Sequence, residues 1–188
     1  MMVIEKSVYQ TVSEARPGCH TYLGNRGIKN LVGLVDYFGD LIIPMRNLEG
    51  GLVGLQRVHW NAQTRIHEKT FEPGMVPGAI FRIGDESVSS PILCSGWLTG
   101  MSIAEACHQM RLSIHVICCF TSKNIEFVAS RLQNKAMIYA DNDMYGDMAA
   151  KAAGVPYITA IGHDANDDHS NLGIFYVCKK IMELRKNA

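Results

Sequence analysis

The run Lys135-Ala136-Met137-Ile138-Tyr139-Ala140 closes on Asp141-Asn142-Asp143 and leads into Met144-Tyr145-Gly146-Asp147 and an alanine-rich segment. A short apolar run bounded by polar residues is the pattern of a parallel strand buried on both faces. Side chains alternate along a strand, so Asp141 and Asp143 share a side at its carboxyl end. Open α/β sheets bind their ligands there. Two unpaired carboxylates in one place repel each other. A hard cation such as Mg²⁺, keeping waters and touching phosphates, relieves that repulsion. Asp and Asn also favour turns and helix N-caps. Asp143 as a helix cap and Asp141 as the opening of a turn therefore stand beside the metal reading.

The rest of the second half repeats the grammar of strand then helix. Pro91–Cys94 reads as a strand, and Thr99–Met110 as a helix with Ala104, Ala106 and Cys107 on its inner side. His115–Phe120 is the next strand. Ser122 caps a helix that runs through Leu132, with Ile125, Val128, Ala129 and Leu132 at helical spacing. Ala136–Ala140 is a strand, Asp147–Ala153 a helix stopped by Gly154, Tyr157–Ile161 a strand and Leu172–Arg185 a closing helix. Such alternation means βαβ units and a parallel sheet.

The first half differs. Leu41–Met45, Leu52–Trp60 and Thr64–Phe71 are strand-like and separated by Asn47-Leu48-Glu49-Gly50-Gly51 and Asn61-Ala62-Gln63, which predicts an antiparallel meander. Pro73, Gly74, Pro77 and Gly78 then break regular structure. Upstream, Val8–Arg16 reads as a short helix ended by Pro17-Gly18, and Ile28–Leu34 is ambiguous. The fold class is α/β: a Rossmann-like parallel sheet flanked by helices over residues 89–188, preceded by a small antiparallel β subdomain over residues 1–88.

Composition narrows the class. With 47% hydrophobic and 19% charged residues the chain is globular. Lys+Arg and Asp+Glu both number 18, so any nucleic-acid footprint must be local. Arg57, Arg65, Lys69 and Arg82 are the candidates to line a template or phosphate path, against the plainer reading as surface charge. Trp60 and Trp97 are candidates for stacking on bases, with Trp97 also read as packing at its turn. None of the six cysteines forms C-x-x-C, and Cys94, Cys118 and Cys119 lie in apolar runs, so reduced buried thiols are expected. The N-terminus has no apolar signal core. No apolar run approaches the about 20 residues that span a bilayer. A cytoplasmic protein without membrane contact is expected. The sequence holds no G-x-x-x-x-G-K-[ST] and no zinc-binding segment.

Ile92-Leu93-Cys94 runs straight into Ser95-Gly96-Trp97-Leu98-Thr99-Gly100. A strand, a glycine turn and a helix start let a phosphate approach closely, and a helix N-terminus favours anions. It is also the form of an ordinary βα turn.

Together these residues resemble the TOPRIM domain, the catalytic module of primases and topoisomerases, and most closely the TOPRIM segment of phage- and plasmid-type primases. Ser95-Gly96 through Ala106 is similar to that family's first strand end and Ser-rich helix start. Asp141-Asn142-Asp143 looks like its metal-binding D-x-D. Asn124 matches the Asn ahead of its second helix, and Asp164-Ala165-Asn166-Asp167 a late D-x-N-D. The meander, with Tyr22-Leu23, Leu41–Met45 and Leu55-Gln56, looks like the segment before TOPRIM in these primases. The resemblance spans about residues 20 to 175.

It implies a Mg²⁺- or Mn²⁺-dependent nucleotidyl transferase that makes RNA primers on single-stranded DNA in phage, plasmid or prophage replication. It implies Asp141 and Asp143 as catalytic metal ligands, with Asp164 and Asp167 as outer members. Gly96, Thr99 and Asn124 would contact phosphate or nucleotide. Partners would be single-stranded DNA, nucleotides and a helicase or other replication protein. Ser95 departs from the family, which has glutamate there. A serine hydroxyl does not titrate near neutrality and cannot do that work unaided, but as a catalytic-site residue Ser95 can donate a hydrogen bond to a phosphate or hold a metal-bound water. Glu86, nine positions earlier, is the nearest alternative carboxylate upstream. A TOPRIM-fold module that binds nucleic acid or a partner without turnover is the alternative function. A flavodoxin-like or receiver-like domain, whose acidic cluster also binds Mg²⁺, is a third reading, but it gives the meander no purpose. In the bunch His163, Asp164, Asp167, Asp168 and His169, the histidines are read as a solvated loop.

Overall fold

The computed structural model describes residues 2–24, 26–28, 32–132 and 135–187, with side chains from Val8 onward. The chain divides into two compact units, residues 1–25 with 29–79 and residues 26–28 with 80–188.

The first unit pairs five strands antiparallel in chain order: β1 (Arg16–Gly18), β2 (Gly33–Val35), β3 (Leu41–Arg46), β4 (Leu52–Asn61) and β5 (Ile66–Glu72). The three meander strands form as expected. Asn47 closes the first turn, its Oδ1 accepting from the Gly51 N–H at 2.7 Å. Pro44 sits in the middle of β3 without harm, because β2 reaches only Leu41 and Ile42 and β3 has one neighbour beyond them. Helix α1 (Met2–Glu14) packs on β4, with Val8, Ala15, Ile42 and Leu55 in the core. The helix begins earlier and ends sooner than Val8–Arg16 predicts. Arg16 precedes Pro17, where the helical conformation is disfavoured, and it already pairs with Val35. The ambiguous stretch Ile28–Leu34 lies partly outside the described residues.

The second unit carries the mostly parallel sheet, in the order β10 (Tyr157–Thr159), β9 (Met137–Ala140), β7 (Ile92–Cys94), β8 (His115–Cys118), β6 (Phe81–Gly84). β6 runs antiparallel at the edge, with Phe81 opposite Cys118. This strand was not predicted, and it brings residues 80–88 into the second unit instead of the first. Its signal is hidden because four apolar and polar residues follow directly on a Pro/Gly-rich stretch.

From β7 the chain passes through α2 (Trp97–Gln109) to β8 on one side, then through α3 (Ser122–Arg131) to β9 on the other side of β7. Helix α4 (Met144–Ala153) continues outward to β10. Right-handed crossovers in opposite directions place α2 and α3 on opposite faces. The packing agrees: α3 lies against α4, and α2 lies against α5 (Ala165–Leu172) and α6 (Ile174–Lys186). The main core fills the α2 face with Cys94, Ile103, Ala106, Val116, Tyr139, Val177 and Ile181.

Three sequence expectations shift here. The N-cap of α3 is Thr121, not Ser122, with its hydroxyl accepting from Asn124 N–H. On α2 the buried positions include Ser102 and Ile103, and Ala104 is only half-buried. The closing helix expected over Leu172–Arg185 starts two residues later, as α6, because Leu172 ends α5 and Gly173 at φ +87°, a conformation that glycine adopts without strain, parts the two.

Gly100 decides how closely α2 meets the sheet. A Cβ there would lie 2.2 Å from Cys118 Sγ and 3.4 Å from Cys94 Sγ. Both sulfurs belong to buried strands. Gly100→Ala should overpack this contact and cost about 1–3 kcal/mol. Urea denaturation should show a lower midpoint with an unchanged slope.

Candidate functional site

In the strand order, the chain reverses direction across the sheet between β7 and β9. That crevice, at the carboxyl ends of the strands, is where α/β sheets place ligands. Ser95 leaves β7 there and Asp141 leaves β9 there, so neighbouring strands deliver both residues to one point. The Ser95 hydroxyl donates a hydrogen bond to Asp141 Oδ2. The acidic stretch and the glycine bend, 46 residues apart in sequence, are thus in direct contact.

Asp141 is buried, with 8% of its surface exposed, and its Oδ1 has no hydrogen-bond partner. Burial pushes its carboxyl up to about 6; the Ser95 hydrogen bond opposes that rise, while the charges of Asp164 and Asp143 add to it. A desolvated carboxylate oxygen without a partner is costly unless something cationic meets it.

Asp143 fulfils the helix-cap reading made from sequence. It is the N-cap of α4, its Oδ1 accepting from Gly146 N–H at 2.6 Å. Its Oδ2 lies 3.9 Å from Nε2 of His163, an exposed side chain. Gly146 is required for this turn, because a Cβ would fall 2.3 Å from the Asp141 carbonyl oxygen. The loops after β9 and β10 are tied together by Asn142, whose N–H donates to His163 O at 2.8 Å and whose amide donates to Ile161 O at 3.0 Å.

Asp164 lies near enough to Asp141 to raise its pKa. Its own oxygens are engaged: Oδ1 caps α5 through Asn166 N–H and Asp167 N–H, and Oδ2 accepts from Thr99 Oγ1 at 3.0 Å. Asp167 Oδ2 accepts from His163 N–H at 3.3 Å. Thr99 and Asn124, expected to contact phosphate or nucleotide, are both buried. Thr99 holds Asp164, and Asn124 donates to Cys119 O at 2.9 Å, fixing the turn after β8. Gly96 is the N-cap of α2 and offers no side-chain cap to that helix.

Asp168 and His169 leave the site. Asp168 is fully buried and accepts from Tyr139 hydroxyl, Ile161 N–H and Gly162 N–H. His169 lies 3.3 Å from Ser102 Oγ, and burial lowers its pKa. Arg57, a template-path candidate, is locked by Asp36, Asp40 and Glu72. Arg82 pairs with Glu86 at 3.4 Å, so the carboxylate nearest upstream of Ser95 is bound to an arginine. Lys69 lies over the Tyr22 ring. Trp97 is buried edge-on against Phe81. All six cysteines are free, and all but Cys19 are buried.

Among the described residues no three His, Cys, Asp or Glu side chains form a ready-made metal cage. The donor set still suits Mg²⁺, which is held by one or two carboxylates and completed by water and phosphate. Asp141, through its partnerless Oδ1, and Asp143 are the residues that would hold it.

No known family profile matches the chain, and no curated protein is significantly similar in sequence. Solved structures are similar in fold. The DnaG catalytic core aligns with a TM-score of 0.58 over 97% of this chain and 71% of its own, at 12% identity. The DnaG primase catalytic domain bound to single-stranded DNA gives 0.53 over 97% and 70%, at 13% identity. The primase fragment of the bacteriophage T7 primase-helicase gives 0.52 over 76% of this chain at 12% identity, and this chain spans only 62% of that fragment. The chain has the fold of a DNA primase catalytic core. No helix among the described residues is long and apolar enough to cross a membrane.

Asp141 gives a testable pH dependence. Its folded pKa, about 6, lies above the about 3.9 of an unfolded aspartate. Its contribution is fully present below the unfolded value and is lost as pH rises through about 6. Without divalent ions, the parent should therefore lose on the order of 2–3 kcal/mol relative to Asp141→Asn between pH 3.5 and 7. Paired denaturation curves in EDTA measure this, and parallel pH profiles would contradict it.

Proposed function

We propose that this chain is the TOPRIM-containing catalytic core of a DNA primase of the phage or plasmid type, synthesising RNA primers on single-stranded DNA. The observation that carries the reading is the Ser95–Asp141 contact at the reversal of the sheet, beside a carboxylate oxygen that lacks a partner. The primase-like fold supports it at a level independent of sequence.

Asp141 and Asp143 hold Mg²⁺ or Mn²⁺. A bound divalent ion supplies neutralisation of charge on the phosphoryl group under attack. The chain's own residues do the rest. Helix α2 starts at the Gly96 turn with no side-chain hydrogen bond capping its first backbone N–H groups, which suits the phosphates of a nucleotide. Ser95 orients the Asp141 carboxylate. Asp164, held by Thr99 and its own helix, is an outer member that keeps the site negative without surrendering its hydrogen bonds.

One observation favours a second reading. Ser95 cannot take or give a proton as the family's glutamate does. The chain then keeps the binding geometry and lacks turnover, serving as a module that engages nucleic acid or a replication partner.

Two measurements separate these readings. Isothermal titration should show Mn²⁺ binding to the parent and none to the Asp141→Asn/Asp143→Asn variant; equal uptake by both would remove the site. In a primer-synthesis assay on single-stranded DNA, the catalytic reading expects metal-dependent product from the parent. Ser95→Glu should raise the rate by roughly 10²–10⁴-fold if it restores general acid–base work. Product from the Glu variant alone supports the binding module.

A further inference from the structure

A cleft of about 540 Å³ opens in the first unit, beside Trp60, and falls in the size range of small-molecule sites. Its walls are rings. Trp60, 45% exposed, lies 4.9 Å from the His67 ring, and His67 lies 5.5 Å from His20. Across the opening, Phe38 stands 84% exposed on a turn fixed by Asp36, whose side chain accepts from Phe38 N–H and Asp40 N–H. The polar floor is also fixed. Asp40 binds His59 at 2.7 Å and Arg57 at 3.2 Å, and Thr21 Oγ1 lies 3.0 Å from His67 Nε2. Burial and the neighbouring His67 hold the His20 imidazole below its usual range, so it is neutral near pH 7.

Among the described residues no lysine or arginine lines the cleft, so its walls offer no strong cation to a phosphate. Exposed aromatic rings beside hydrogen-bonding groups of both kinds suit a flat, uncharged molecule with polar edges. We propose that this cleft binds a nucleobase, stacked on the Trp60 indole and edged by the Asp40–His59 pair. The base can belong to a free nucleoside or to a single strand; the chemistry recognised is the same. The residues of this site belong to the first unit, and the proposal does not depend on turnover at Asp141.

The test uses the full chain carrying Asp141→Asn/Asp143→Asn, in EDTA, so that its outcome is independent of the metal site. Fluorescence anisotropy with a labelled twelve-residue oligothymidylate should show Trp60→Ala binding roughly 5- to 150-fold more weakly, the equivalent of one stacked base. Trp60→Phe should retain most of the affinity. The dependence on salt should be unchanged in Trp60→Ala, because no phosphate contact is lost. Competition by adenosine would assign a free base to the cleft, and failure of adenosine against a competing oligomer would assign a base held in a strand. Equal affinity of Trp60→Ala and its background, or equal binding of an abasic oligomer, overturns the proposal. If Trp60→Ala unfolds, the background protein itself decides. Ligand must shield its exposed indole from acrylamide quenching, and unaltered quenching also overturns the site.

Discussion

The hydrogen bond from Ser95 to Asp141 is the contact on which the candidate site of the second unit depends. It joins the ends of two neighbouring parallel strands at the point where the chain reverses its path across the sheet. Asp141 is buried there with one oxygen satisfied and the other not. A buried carboxylate in that condition is an expense that folding alone does not recover. The surroundings sharpen it, since Asp143 and Asp164 add like charge and only the exposed His163 opposes them from the β10 side. A buried carboxylate left half-satisfied breaks a rule of stable folding, and such breaks are expected at functional sites.

The support around Asp141 is built from residues that do no chemistry themselves. Gly146 lets α4 begin against the Asp141 backbone, and Gly100 lets α2 lie close on the sulfurs of Cys94 and Cys118. Asp168, buried under the loop after β10, ties Tyr139 of the sheet to two backbone N–H groups of that loop. Thr99 on α2 reaches Asp164 on the far loop. The site is thereby held by hydrogen bonds between the starts of helices and the ends of strands, on elements that share one core. The frame stands with a serine, Ser95, at the end of β7.

Much of this was legible without coordinates. The run ending at Ala140 is short, apolar and closed by aspartates, and burial on both faces requires just that pattern. The meander strands were marked by Asn and Gly turns. The failures have physical causes. β6 is a four-residue edge strand behind a Pro/Gly-rich stretch, so neither length nor periodicity marks it. Helix α5, Ala-Asn-Asp-Asp-His-Ser-Asn-Leu, is polar enough to read as a loop, and only the Asp164 cap and the packing on α2 make it a helix. Arg57 reads as a surface cation until Asp36, Asp40 and Glu72 are seen to converge on it.

What the chain alone determined was local: which segments are strands or helices, that Asp141 and Asp143 end a buried strand, and that a glycine turn opens α2. These follow from side-chain period, turn chemistry and helix capping, which act over a few residues. What the tertiary structure decided was adjacency. Strand order put β7 beside β9 and so Ser95 against Asp141, left Asp141 Oδ1 without a partner, turned Thr99 and Asn124 inward, and gathered Trp60, His67 and Phe38 around one cleft. Residues tens of positions apart meet only through the register of sheets and the hand of crossovers, and no local pattern encodes either.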